Sequence, residues 1–399
     1  MKIGIYNLIS DVGDKKLISE TSDSFLKSIE EYLQEPLVNI NPADIKKESI
    51  LPIIMIQSGE VEEKFKRIYQ QFPAPYILMA GYQYNSLPAA LEIREYLKKR
   101  GEKVEILHGS TKIIAQRLKT LKQIFNTKKN CRRFQVGALG KPADWLIASG
   151  ADYNAIRKKL GIRVFDIPIE EMIRHIDLIG HSDVEFDRDL SKFNFEPDVL
   201  KQSLRIYQGL KNLAQEYKFN ALTVSLYDLL SFYKNTACLA FSFLNKEGII
   251  AGSEGDVPST VSMLVANKLT GETVFMVKPV CIDQEKNEII FSNCIIPMNI
   301  HEELLLKNHF ESGLGSTIYG KATKSPITIF KLNSNADNFY CAEGEIIEYL
   351  EATQQCEIQL KIVLEEPVNN FLEKAIANNQ IIFKGHHKEK VKEFFSVIL

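Results

Sequence analysis

Two carboxylates carry the clearest chemical signal in this chain: Glu254 and Asp256, within Ala251-Gly-Ser-Glu-Gly-Asp-Val-Pro-Ser-Thr260. The run leads into apolar positions Val261, Leu264, Val265 and Leu269 and stops at Gly271, a spacing that predicts a helix. Acidic groups just ahead of a helix cap its free N–H groups and favour its positive end, and that is the role position alone suggests for Asp256. Glu254 differs. Small residues flank it on a glycine-rich turn, where a ligand can come close to the backbone. Trp145, the single tryptophan, follows a strand-like run and could stack on a ligand ring or pack half-buried.

These groups need a scaffold. Short apolar runs at Met1–Tyr6, Leu51–Gln57, Tyr76–Ala80 and Val104–Leu107 suit a buried parallel sheet. Between them lie amphipathic stretches. The clearest begins at Asn85-Ser86, with Pro88 in its first turn, puts Leu87, Ala90, Leu91 and Leu97 on one face, and ends at Gly101. Asn126–Arg133 is basic and reads as a solvated connection. A second unit follows: a strand at Phe134–Leu139, a helix at Tyr153–Leu160 closed by Gly161, a strand at Val164–Ile167, and a long helix after Pro197 with Leu200, Leu204, Tyr207, Leu210 and Ala214 on one face. From Val274 the pattern changes to closely spaced runs at Ile289–Phe291, Ile327–Leu332, Glu345–Tyr349, Ile358–Val363 and Ile381–Lys384, which predict an antiparallel sheet or small barrel. The expected fold is α/β: two Rossmann-like doubly wound domains, 1–127 and 128–270, and a β-rich C-terminal domain, 271–399. The second domain carries Glu254.

Composition narrows the function. A formal net charge of −2, with 45% hydrophobic and 25% charged residues, gives no electrostatic footprint for nucleic acid. No window approaches a membrane span, and the first residues enter a strand without an apolar signal core, so a cytoplasmic protein is expected. The six cysteines are scattered without CxxC pairs and read as reduced core thiols. A small-molecule ligand suits this surface.

Several blocks together resemble the L-fucose isomerase-like family, within the L-fucose/L-arabinose isomerase superfamily. They are Gly252-Ser-Glu-Gly-Asp-Val-Pro-Ser-Thr-Val-Ser-Met-Leu264, Gly137-Ala-Leu-Gly-Lys-Pro-Ala-Asp-Trp-Leu-Ile-Ala-Ser149, Asn220-Ala-Leu-Thr-Val, Thr236-Ala-Cys-Leu-Ala240, His309-Phe-Glu-Ser-Gly-Leu-Gly315 with Ser325-Pro-Ile-Thr-Ile-Phe330, and Asn85-Ser-Leu-Pro-Ala-Ala-Leu91. The resemblance implies an aldose–ketose isomerase, a sugar ligand and a homo-oligomer in which one subunit's N-terminal domain completes a neighbour's pocket. It also implies a divalent ion, usually manganese, held by a Glu, an Asp and a distant His. Here the pattern departs. Glu254 matches the Glu, but the Asp position falls on Lys278 in Phe275-Met-Val-Lys278. A His-Cys block is represented by Asn293-Cys294, and an Asn-His block aligns with Asn378-Asn379-Gln380. Of the metal ligands only Glu254 remains. A lysine ammonium about 5 Å from a dication costs several kcal/mol even at an effective dielectric near 20. By the resemblance, then, Glu254 and Lys278 are the catalytic candidates, with Lys278 standing in for the ion as oxyanion donor and Glu254 as proton shuttle. Asp256, Trp145, Asn85, Asn293, His309, Glu311 and Asn379 are the substrate-binding candidates. The site is expected where the second and third domains meet. The alternatives are a structural Lys278–Glu254 pair, and a non-catalytic relative that binds a sugar or phosphosugar or serves as an assembly subunit.

Overall fold

The structure, a computed structural model, describes residues 1–45, 49–180, 195–293, 295, 301–309, 312–322, 324–351 and 358–398. The chain divides into two compact units, Met1–Asn126 and Thr127–Leu399.

In the first unit, strands β1 (Lys2–Leu8), β2 (Leu37–Asn39), β3 (Ile50–Ile56), β4 (Tyr76–Ala80) and β5 (Val104–Leu107) form a parallel sheet in the order β2-β1-β3-β4-β5. β3 is apolar on both faces, as a covered parallel strand must be. Ile53 and Met55 pack with Ile29 and Leu33 of helix Lys15–Leu33 and with Ile114 and Leu118, while Ile54 and Ile56 pack with Phe65 and with Ala90, Ile93 and Leu97 of helix Ser86–Lys98. The buried face of that last helix is turned from the expected one. Ala89, Ala90, Ile93 and Leu97 face inward, and Leu91 is exposed.

The second unit opens inside a helix. Thr111–Cys131 runs through the basic stretch read as a connection, because Thr127 and Cys131 are buried and anchor its last turns, with Thr127 Oγ1 donating to the Lys268 carbonyl at 3.0 Å. Strands β6 (Gln135–Leu139), β7 (Arg163–Ile167), β8 (Ala221–Val224) and β9 (Ile250–Ser253) form a second parallel sheet, ordered β7-β6-β8-β9. Helix Tyr153–Leu160 ends at a left-handed Gly161, as the sequence predicts, and helix Pro197–Glu216 buries Leu200, Leu204, Leu210 and Ala214. The chain continues through β10 (Val274–Asp283), β11 (Glu288–Asn293), β12 (His301–Lys307), β13 (Thr317–Ala322), β14 (Ser325–Leu332), β15 (Phe339–Glu351), β16 (Ile358–Leu364) and β17 (Gln380–Lys384). Six of these close into an antiparallel barrel, β10-β11-β16-β15-β14-β17, and β12 pairs with β13. Closure leaves no free sheet edge on the barrel. Phe275, Val277, Phe291, Ile327, Ile329, Ile362 and Ile382 belong to its core. The result is a mixed α/β chain with parallel sheets and a β-rich C-terminal region.

Among the described residues no helix is long and apolar enough to cross a membrane, and Cys131, Cys238, Cys281 and Cys341 form no disulfide.

Between β17 and the terminal helix Lys388–Ile398, His387 lies against Phe383 with ring centroids 5.8 Å apart, and its Nε2 faces the Lys384 carbonyl at 3.1 Å. Burial, with Lys390 acting in the same direction, lowers its pKa from the ordinary histidine value. The folded chain therefore binds this proton less readily than the unfolded one. Its contribution to stability is complete above about pH 6.5 and falls as pH drops through the window between the unfolded and folded pKa. Urea midpoints on either side of that window should differ less for His387→Gln than for the native chain; equal differences would remove His387 as the source.

Candidate functional site

The turn after β9 brings the candidate groups together. Glu254 has φ 68° and Gly255 φ 70°, two successive left-handed residues. A glutamate held there is uncommon and marks a backbone that the surroundings over-determine. Gly255 is required by contact as well: a Cβ would lie 2.5 Å from Pro142 Cα and 3.1 Å from the Lys141 carbonyl. The Glu254 carbonyl accepts from the Ala143 amide at 2.8 Å. These contacts seat the turn on the loop that follows β6, and that loop carries Trp145 to Glu254, with Nε1 3.4 Å from Oε2.

Asp256 caps helix Val257–Thr270, accepting from the Ser259 amide at 2.9 Å through Oδ1 and from the Ser259 hydroxyl at 2.7 Å through Oδ2. It is fully buried, so its contact with any ligand would have to run through neighbours. From β10, Lys278 reaches across and pairs its Nζ with Glu254 Oε1. Its side chain keeps 43% exposure, against 9% for Glu254. The ammonium also lies 5.9 Å from the centre of the Trp145 ring, within cation–π range. Asn379, buried just before β17, donates from Nδ2 to Glu254 Oε2 at 3.0 Å and to Asp256 Oδ2 at 2.9 Å. Its Oδ1 has no hydrogen-bond partner among the described residues.

A residue that sequence reasoning missed completes the set. Lys331 of β14 is 1% exposed, with Nζ 3.4 Å from both Asp256 oxygens and bonded to the Ser259 hydroxyl. Burial pushes its pKa down, against the upward pull of Asp256. The available signal was periodicity: Ile327 and Ile329 are core residues of β14, and Lys331 continues their alternate positions where an apolar side chain would be expected.

The remaining candidates lie elsewhere or have structural partners. Asn293 uses its amide to bond the Met276 and Ile295 carbonyls and the Ile295 amide, fastening β11 to β10 near Lys278. His309 is buried, with Nδ1 3.0 Å from Ser312 Oγ in the turn before β13. Asn85 belongs to the first unit, where it precedes helix Ser86–Lys98 in a left-handed conformation with no side-chain cap bond. Glu311 and Cys294 lie outside the described residues.

A divalent ion would have to compete for oxygen donors that already have partners within the chain. Oε1 of Glu254 holds Lys278 and Oε2 holds Asn379. Both oxygens of Asp256 serve Ser259 and Lys331. The implied His and Asp positions present an amide and an ammonium. Among the described residues, a group with ligand spacing lies elsewhere, at Glu171, His175 and Glu216. The Arg174 guanidinium already pairs with Glu171 at 2.5 Å and lies 3.9 Å from Glu216, so the cation in that cluster belongs to the chain.

No family model matches the chain. It is similar to proteins named sulfoquinovose isomerase. The one from Alkalicoccus urumqiensis is 19% identical over 228 residues, covering 53% of this chain and 50% of that protein. Those from Priestia aryabhattai and Priestia megaterium are each 19% identical over 191 residues, covering 46% of this chain and 43% of theirs. The match thus spans half or less of the length of these relatives.

Proposed function

We propose that the chain interconverts an aldose and a ketose, with Glu254 and Lys278 as the reacting pair. The observation that carries this reading is the contact itself: a nearly buried carboxylate on a strained turn, touched by a half-exposed ammonium beside an indole face. The names of the distant relatives point the same way. In the proposed cycle Glu254 removes the proton on C2 of an open-chain aldose. The electron pair forms the C1–C2 double bond, and the charge collects on O1, where the Lys278 ammonium donates to it. Glu254 then returns its proton to C1, the O2 proton passes to O1, and C2 becomes the carbonyl. No electron acceptor is needed, because oxidation at C2 balances reduction at C1. Trp145 would hold the sugar's apolar face.

The same proposal includes the finer architecture: Rossmann-like domains 1–127 and 128–270, a C-terminal domain 271–399, fucose isomerase-like ancestry, and a homo-oligomer. The substrate in this reading is an open-chain aldose. Incubating the purified chain with a panel of aldoses in the presence of a chelator, and following ketose formation by NMR, tests the reaction. Turnover of one sugar is expected. Saturable sugar binding with no turnover across the panel would replace this reading with that of a non-catalytic carbohydrate-binding relative.

A further inference from the structure

We infer that Lys278 and Lys331 together supply, from within the chain, the two positive charges that a divalent ion would bring to this site, and that Lys331 is a positioning residue acting on Glu254 through Asp256 and Asn379. This rests on Glu254 and Lys278 being the reacting pair, and it adds a residue that neither the motif nor the relatives' names assign.

The charges balance. Glu254 and Asp256 contribute two negative charges, and Lys278 and Lys331 two positive, each ammonium in contact with one carboxylate. Two of the four groups, Asp256 and Lys331, have essentially no contact with solvent. An ionised lysine at an apolar strand position is costly unless a partner compensates it, and the partner here is Asp256 with Ser259.

Asn379 transmits the arrangement. An amide nitrogen has two hydrogens, and here one goes to each carboxylate, at 3.0 and 2.9 Å. That assignment follows from the partners, since turning the amide over would aim its oxygen at two anions. The consequence is a buried Oδ1 acceptor left without a donor among the described residues. The amide keeps this orientation because the carboxylates demand it, and Asp256 keeps its own position because Lys331 and Ser259 hold both its oxygens. A continuous buried path therefore runs Lys331–Asp256–Asn379–Glu254.

Manganese(II) chloride alone is the probe, with calorimetric titration and thermal melts of the full chain. The native chain is expected to bind no ion at about 1 mM and to melt at the same temperature with or without it. Lys278→Ala and Lys331→Met each leave one excess negative charge, and each should acquire an ion-dependent rise in melting temperature, about 3 °C at ten times the dissociation constant. Lys331→Arg keeps the charge and should stay indifferent. If Lys331→Met does not fold, the neutral pair Asp256→Asn with Lys331→Met replaces it and is expected to be indifferent as well. One manganese bound to the native chain and lost in Glu254→Gln would overturn the inference. So would folded Lys278→Ala and Lys331→Met chains that both ignore the ion, or a neutral pair that responds to it. Ketose formation under chelation is a separate readout: turnover with the wrong ion results removes only this inference, and no turnover with the expected ion results removes only the proposed reaction.

Discussion

Glu254→Gln is expected to lower aldose–ketose turnover by about 10²–10⁴-fold, the usual contribution of a positioned general base. The substitution keeps the shape of the side chain, and the glutamine oxygen can take the place of Oε2, accepting from Trp145 and Asn379. It removes the ability to accept a proton from carbon. Lys278 loses the charge of Glu254 but is 43% exposed, and water can solvate the ammonium, so the fold should tolerate the change. The loss should therefore fall in kcat far more than in KM, because the missing interaction belongs to the transition state. Steady-state rates for the sugar identified by the aldose panel check this, with melting curves as the control for folding. A kcat within tenfold of the native value would exclude Glu254 as the base. Lys278→Met offers the complementary result: losing one oxyanion donor costs about 10²–10³ in kcat, with Glu254 still present.

The coarse architecture was legible because its signals are local. The apolar run at Tyr76–Ala80 and the Gly161 helix stop needed only neighbouring residues to be read. The closely spaced β runs after Val274 likewise pointed to a sheet or barrel, and closure into six strands follows from pairings such as β14 with β17, whose partners are far apart in sequence. Where local signals misled, packing had decided otherwise. The basic string around Lys128 and Lys129 looked like a linker, yet Thr127 and Cys131 are buried on the same helix and the lysines occupy its last turn, where cations suit the dipole. The expected face of helix Ser86–Lys98 included Leu91, but small Ala89 and Ala90 let that helix sit close to the sheet and left Leu91 outside. At the candidate site, Glu254 stood out through its glycine-rich turn, and Lys278 through the resemblance. Lys331 gave only an interruption in an apolar alternation. Its partner lies 75 residues earlier, and nothing short of the docking of helix Val257–Thr270 against β14 could disclose the pair.

That pair also makes a stability prediction. Lys331→Met should destabilise the second unit by about 3–5 kcal/mol, the range for breaking a buried ion pair from one side, because Asp256 is left charged and enclosed. Adding Asp256→Asn should recover most of the loss. The paired change removes both charges, while Asn can still accept from the Ser259 amide at the helix cap. Asp256→Asn alone should fall between them. Burial already lowers the Lys331 pKa, and removing Asp256 takes away the main opposing pull, so this lysine can lose its proton instead of remaining an unpaired cation. The sign follows: with its folded pKa below the unfolded lysine value, the folded chain holds fewer protons between the two, and stability rises with pH across that window. Asp256→Asn should thus regain stability as the solution becomes alkaline, a gain that Lys331→Met, which has no amine at this position, should lack. Urea midpoints of the three variants across pH measure both slopes. Equal slopes would mean that the two side chains are not a charge pair, and a double variant as unstable as Lys331→Met would mean that packing around the lysine stem, rather than its charge, holds helix Val257–Thr270 to the barrel.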